Sequence, residues 1–230
     1  MKQKNDIAGL LNDVKLFSGF SRKDLQKFSK IAKIKYYEKG RRVFSQNTPG
    51  DSLYVIISGS LKIFGQTRHR KKIFAYLGPK EFFGELALFG ERKRSASAET
   101  TADSTLIVIH KKDFMSVLKK NPDICLNLLS VIASRLRLAD KEIELVSFQD
   151  VFGRIIRILL NLSKKYGRKT SDGKKICLSL DHKEIAELAG TVREMAARAC
   201  SRLKKLNYIS YYGKNIVIKD ENKLKSLLQD

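Results

Sequence analysis

The sequence predicts an α+β chain with three consecutive parts: a strand-rich N-terminal part, one long central helix, and a C-terminal helix-turn-helix followed by a wing. Three observations predict it. Short alternating apolar runs between turn residues fill residues 36–110, a strict 4–3 apolar spacing begins near Pro122, and a capped helix ending in glycine precedes a second amphipathic helix near Val192.

The strand-rich part is the first to justify. In "SLYVIISGSLKIF", Leu53, Val55 and Ile57 alternate, Ser58-Gly59-Ser60 reads as a turn, and Leu61 and Ile63 alternate again. Turn punctuation recurs at Gly40, Pro49-Gly50-Asp51, Gly78-Pro79 and Gly90. Short strands so spaced predict a compact antiparallel barrel or sandwich, preceded by a helical segment over about residues 5–32.

The long helix follows, after a first short turn headed by Asp113. Its apolar positions Cys125, Leu129, Ile132, Leu136, Ala139, Ile143 and Val146 step by 4 and 3 in alternation. That is a heptad seam flanked by charges such as Arg135 and Lys141, and it predicts a homodimer; packing against the chain's own sheet is the plainer alternative.

From about Phe148 the chain turns helical again, with "VFGRIIRILLNLSKKYG" ending at Gly167 and a polar hairpin around Thr170–Lys175. Asp181 is a natural cap for a helix over His182–Ala189 with Ile185 and Leu188 inward, and Gly190 ends it. A second helix starting near Val192 or Arg193 buries Ala196, Ala199, Cys200 and Leu203, and "YISYYGKNIVI" supplies the wing. The predicted division is 1–120, 121–148 and 149–230.

A chain of 230 residues with 46 Lys+Arg against 24 Asp+Glu carries a formal charge of +22, which argues for a polyanionic partner. The charge is shared, with +9 on residues 149–230 and +13 on the rest, so part of it is plain solubility. No apolar run approaches 18 residues, and the N-terminus lacks the pattern of a secretory signal, so a cytoplasmic protein with no membrane partner is expected. Cys125, Cys177 and Cys200 stand far apart and read as buried thiols; His69, His110 and His182 form no ligand pattern. No nucleophile–base pair, metal cluster or Walker-type loop suggests an enzyme.

Two stretches carry chemistry. "FGELALFGERKRSASAET" interrupts the strands with a Gly-Glu step and then an Arg-Ser pair. It is either a charged surface loop or a pocket for one anionic, hydroxyl-bearing small molecule. On the second helix of the C-terminal pair, Arg193, Glu194 and Arg198 face outward. They are either a solvated face with a Glu194–Arg198 pair or a base-reading set, since Arg forks match guanine and a carboxylate accepts from cytosine N4.

With both stretches placed, the chain resembles the cyclic-AMP receptor protein (CRP/FNR) family over about Phe17 to Lys219. The resemblance rests on "GDSLYVIISGSLKIF", "GELALFG", Arg94-Ser95-Ala96, "FGRI" and "EIAELAGTVREMAARACSRLKKLNYIS". It implies a jelly-roll-like cyclic-nucleotide-binding β-barrel, a dimerisation helix and a winged helix-turn-helix binding DNA.

It also implies roles. Gly84, Glu85, Leu86 and Ala87 open a short helix toward a cyclic phosphate, Arg94 and Ser95 clamp that phosphate, and Glu85 accepts from the ribose 2′-hydroxyl. Arg135 matches the Arg beneath the pocket and is placed to pair with Glu85. Ala139 and Asp140 fall where the family holds the base; Ala cannot hydrogen-bond, and Asp140 suits either an adenine amino group or the donors of guanine. Cyclic AMP is therefore the first choice of ligand and cyclic GMP its rival. The family's base-reading trio matches Arg193, Glu194 and Arg198, and its phosphate contacts match Lys183, Thr191 and Lys214, which implies an inverted repeat of TGTGA-like half-sites. RNA polymerase is a further partner the resemblance allows. The departure at Val192, where a hydroxyl residue is common, keeps open a C-terminal unit serving protein contacts.

Overall fold

The computed structural model describes residues 7–18, 20–68, 70–89, 93–120, 122–148 and 150–228, with backbone alone at 123, 124 and 141–148. The chain forms two compact units, Met1–Leu138 and Ala139–Asp230, and the division runs through the long helix.

The first unit opens with helices α1 (Ile7–Asn12) and α2 (Arg22–Ile31), joined through a 3-10 turn at Lys15–Phe17. Ser21 caps α2 by accepting from the Asp24 N–H, and Leu25 and Phe28 point inward. Eight strands follow: β1 (Lys33–Tyr37), β2 (Arg42–Phe44), β3 (Ser52–Ser58), β4 (Leu61–Gln66), β5 (Lys71–Leu77), β6 (Phe82–Phe83), β7 (Ser97–Thr100) and β8 (Ser104–His110). Helix α3 (Lys111–Leu118) and the long α4 (Pro122–Phe148) come next; His110 caps α3, so Asp113 lies inside its first turn and does not head it.

The strands make two antiparallel four-stranded sheets, β1-β8-β3-β6 and β2-β7-β4-β5. This is a sandwich, not the closed barrel the resemblance implied: the edge strands of one sheet do not pair with those of the other. The first sheet is covered on both faces. Leu53 and Val55 on β3 pack with Phe17, Phe28 and Phe114 of the helical layer, while Tyr54 and Ile56 pack with Leu61 and Ala98 of the second sheet. That is why β3 is buried at five consecutive positions and does not alternate as an amphipathic strand would. On β4 the expected Leu61–Ile63 alternation holds, both packing in the core between the sheets, and after an irregularity past Ile63 the ring of Phe64 is buried beneath Arg42 and Lys71.

Helix α4 corrects the predicted seam. Cys125 and Ile132 lean on the core of their own unit, beside the buried Leu128 and Val131, whereas Leu126, Leu129 and Leu136 are 60–65% exposed. Ala139 is also exposed, and the side chains of Ile143 and Val146 lie outside the described residues.

The second unit contains α5 (Val151–Tyr166), β9 (Gly167–Thr170), β10 (Gly173–Ile176), α6 (His182–Ala189), α7 (Arg193–Lys205), β11 (Ile209–Tyr212), β12 (Asn215–Ile218) and α8 (Glu221–Ser226). The strands form one antiparallel sheet, β11-β12-β10-β9. Asp181 and Glu184 make a reciprocal capping box at the start of α6, and Gly190 closes it in the left-handed conformation, φ 65°. Because that box satisfies two otherwise orphan N–H groups, Asp181→Ala should lower the stability of this unit by about 1 kcal/mol, read as a shift in its urea midpoint. The predicted buried set of α7, Ala196, Ala199, Cys200 and Leu203, is the observed one, while Leu188 of α6 is only half-buried beside the buried Ile185, Ala186 and Ala189. Cys177 is exposed, against expectation, because strand alternation turns Ile176 inward and the next residue out.

Among the described residues no group of His, Cys, Asp and Glu could hold a metal ion, and no helix is long and apolar enough to cross a membrane. His110 Nδ1 lies 3.1 Å from the Ser52 hydroxyl, and His69 lies outside the described residues.

Candidate ligand pocket and nucleic-acid interface

The Gly-Glu step leaves β6 at a point where only glycine is comfortable. Gly84 has φ +83°, and a Cβ there would stand 2.7 Å from Arg94 Nη1. The chain then enters a 3-10 turn, Leu86–Leu88, whose first backbone bond runs from the Leu88 N–H to the Glu85 carbonyl at 3.0 Å. The N–H groups of Leu86 and Ala87 precede that bond, at the donor-rich end of the turn. Ala87 is buried and Leu86 is exposed.

Arg94 is 4% exposed, a burial that a guanidinium tolerates only with compensation. Its Nη1 donates to the carbonyls of Ser52 (3.0 Å) and Gly84 (2.9 Å), and the group lies over the Phe44 ring at 4.1 Å from the centroid. Phe44, Tyr54 and Phe83 form a cluster around it, Tyr54 and Phe83 stacked at 5.1 Å. Backbone bonds fix its position ahead of β7, from the Arg94 N–H to the Thr48 carbonyl and from the Asn47 N–H to the Arg94 carbonyl. Nε is buried with no hydrogen-bond partner among the described residues. Burial pulls the guanidinium pKa down, partly offset by Tyr54, Asp51 and Glu85.

Glu85 is 2% exposed and ion-paired to Arg135 of α4 through Oε1. Arg135 Nη2 also donates to the Phe82 carbonyl at 2.7 Å, and its guanidinium stacks over the Phe82 ring. Ser95 is exposed beside Arg94. In the first unit Arg94 thus bonds the Gly84 carbonyl and Arg135 pairs with Glu85, so both cations meet the Gly-Glu turn. Ala139 and Asp140 are exposed on the stretch of α4 assigned to the other unit and are described there alone.

Sequence reasoning missed Phe44, Tyr54 and the Ser52 carbonyl, which carry and aim Arg94, and Gly50, where a Cβ would overlap its guanidinium. Pro49-Gly50-Asp51 reads in sequence as turn punctuation only; the close approach is visible only in three dimensions.

In the second unit, Arg193 and Glu194 open α7 and Arg198 lies one turn on; all three are exposed, and among the described residues no Glu194–Arg198 ion pair forms. Val192 caps α7 with no side-chain bond and is 55% exposed. Thr191 is half-buried, its N–H bonded to the Ala186 carbonyl, and Lys183 and Lys214 are exposed. Behind α7, Arg202 stacks on Phe152 of α5 and Arg154 Nε bonds the Ala189 carbonyl, holding the helix pair firm.

Residues 34–121 match the cyclic nucleotide-binding domain family, and residues 153–227 match the Crp-like helix-turn-helix domain family. The CRP-like cAMP-activated global transcriptional regulator of Mycobacterium tuberculosis is 32% identical over 82% of this chain and 84% of its own. This chain belongs to the CRP/FNR family. Its members are transcription regulators and not enzymes, and this one carries a cyclic-nucleotide-binding domain and a DNA-binding helix-turn-helix. The cAMP-activated global transcriptional regulator CRP of Salmonella typhimurium is 33% identical over 84% of this chain and 93% of its own. Among solved structures, the c-di-GMP responsive global regulator CLP of Xanthomonas campestris superposes with a TM-score of 0.78 at 26% identity, covering 87% of this chain and all of that one.

Proposed function

We propose that this CRP/FNR regulator is a homodimer whose binding of a cyclic nucleotide in the N-terminal sandwich sets its two helix-turn-helix units in register on an inverted-repeat DNA site. The observation that carries the nucleotide half is Arg94: a buried guanidinium held along one side by two carbonyls, with Nε left to an incoming acceptor. A cyclic phosphate supplies that acceptor and the missing negative charge. The Leu86 and Ala87 N–H groups and the Ser95 hydroxyl add donors, and Gly84 lets the backbone come close. Glu85, oriented by Arg135, accepts from the ribose 2′-hydroxyl with its second oxygen. Asp140, four residues along α4 from Leu136, is the base-side acceptor beside Ala139.

Cyclic AMP is the preferred ligand, in line with the cAMP-activated relatives, and cyclic GMP is the alternative that Asp140 suits. Calorimetric titration of the purified protein with each nucleotide tests the reading. One should bind saturably with about micromolar affinity, roughly −8 kcal/mol; heat from neither would overturn it.

The exposed, unpaired Arg193, Glu194 and Arg198 support direct base reading in TGTGA-like half-sites about 10–11 bp apart. Glu194→Ala should relax preference at one base pair by about 1–3 kcal/mol. Lys183, Thr191 and Lys214 are assigned to backbone phosphates. Lys214→Ala should weaken all sequences alike and shallow the salt dependence by about one counterion. Selection from random DNA checks both: a Glu194→Ala protein that selects the wild-type site would remove the base-reading assignment. Selection that returns no inverted repeat would favour a protein-contact role for the second unit, to which the exposed apolar Val192 is suited.

A further inference from the structure

On the face of α5 carrying Arg157, Asn161 and Lys164, the second unit has an open cleft of about 430 Å³, bordered by Lys174 of β10 and by Glu221 and Lys225 of α8. Four cations surround one carboxylate. That carboxylate is already engaged: Glu221 Oε1 accepts from the fully buried Ser163 hydroxyl at 2.8 Å and from Lys174 Nζ at 3.1 Å. Ser163, then Lys174, hold its carboxyl below the usual range, so it stays charged and cancels one of the four. Arg157, Lys164 and Lys225 are left without a balancing anion in the cleft. The Arg157 Nε is moreover buried with no partner among the described residues, a donor taken out of water and given nothing in return.

A surplus of this size suits a compact anion of at least two charges with tetrahedral oxygens, shared between the Arg157 guanidinium and the lysine ammonium groups. We propose that this cleft is an anion site for a phosphorylated small molecule, separate from the pocket at Arg94. It sits where occupancy can be felt at the DNA-reading face, because α5 packs directly against α6 and α7 as well as β10 and α8.

The test is calorimetric titration of the full-length protein with inorganic pyrophosphate and, in parallel, ribose 5-phosphate, at constant ionic strength. Arg94→Leu serves as the background, so that the N-terminal pocket cannot supply the signal. Uptake of both probes marks a phosphomonoester site, and uptake of pyrophosphate alone marks an inorganic polyphosphate site. We expect saturable binding to the Arg94→Leu protein, weakened at least about tenfold by Lys164→Gln, the loss of one charge-assisted hydrogen bond. The double change Arg157→Gln/Lys164→Gln should abolish it. Lys164 is exposed, so its variant keeps the fold even if Arg157→Gln does not. No saturable uptake of either probe, or an affinity that Lys164→Gln changes by less than about tenfold while Lys183→Gln lowers it, would overturn the proposal.

Discussion

Arg94→Leu should reduce cyclic-nucleotide affinity by at least about 2–3 kcal/mol, a loss of roughly 30- to 150-fold. The change removes the one cation buried at the Gly-Glu turn and leaves the Ser52 and Gly84 carbonyls without their Nη1 donor. Leucine fits among Phe44, Tyr54 and Phe83, so the sandwich should survive and circular dichroism should stay unchanged. Glu85→Ala acts differently. It strips Arg135 of its ion-pair partner and the ribose of its acceptor, so it should cost a similar amount for cyclic nucleotides yet less for a ligand lacking the 2′-hydroxyl. Calorimetry on the two variants separates the phosphate clamp from the sugar acceptor. An Arg94→Leu protein with wild-type affinity would remove the pocket assignment altogether.

Leu136→Glu should convert a dimer to a monomer. Leu126, Leu129 and Leu136 expose 60–65% of their surface along α4, whereas Leu128 and Val131 are buried in the unit's own core. With Leu138, also 62% exposed, these leucines form an apolar stripe that a second copy would cover. A glutamate at position 136 would face its own symmetry mate across that stripe. The dimer dissociation constant should rise at least a hundredfold, about 2.8 kcal/mol. Light scattering at micromolar concentration reads the outcome, and a wild-type monomer would end the dimer proposal.

How far the sequence could be read depended on whether a feature is local. The Asp181 cap, the helix stop at Gly190 and the buried face of α7 are set within a few residues, and each was legible; the reciprocal bond from Glu184 was not read. The strands were legible as strands, but their arrangement was not. Closure of a barrel against two stacked sheets depends on which edges pair, and no local pattern states that. The double-sided burial of β3 likewise follows from a helical layer that comes from both earlier and later in the chain. In α4 the 4–3 spacing was visible, yet it could not say whether Cys125 and Ile132 face a partner or their own sheet; they face their own core. The Gly-Glu and Arg-Ser steps singled out Gly84, Glu85 and Arg94 in sequence as either a charged loop or a pocket, and only the resemblance gave them roles. The aromatic bed of Phe44 and Tyr54 was hidden, because it is assembled from strands that lie apart in sequence.

Under the proposed function, nucleotide occupancy controls DNA binding. Fluorescence anisotropy of a labelled inverted-repeat duplex, titrated with wild-type protein at fixed salt with and without saturating cyclic nucleotide, measures that coupling directly. Nucleotide should tighten binding by about 5- to 150-fold, a coupling of roughly 1–3 kcal/mol, and Arg94→Leu should abolish the difference. Equal affinity in the presence and absence of nucleotide, with the duplex bound specifically in both, would contradict it.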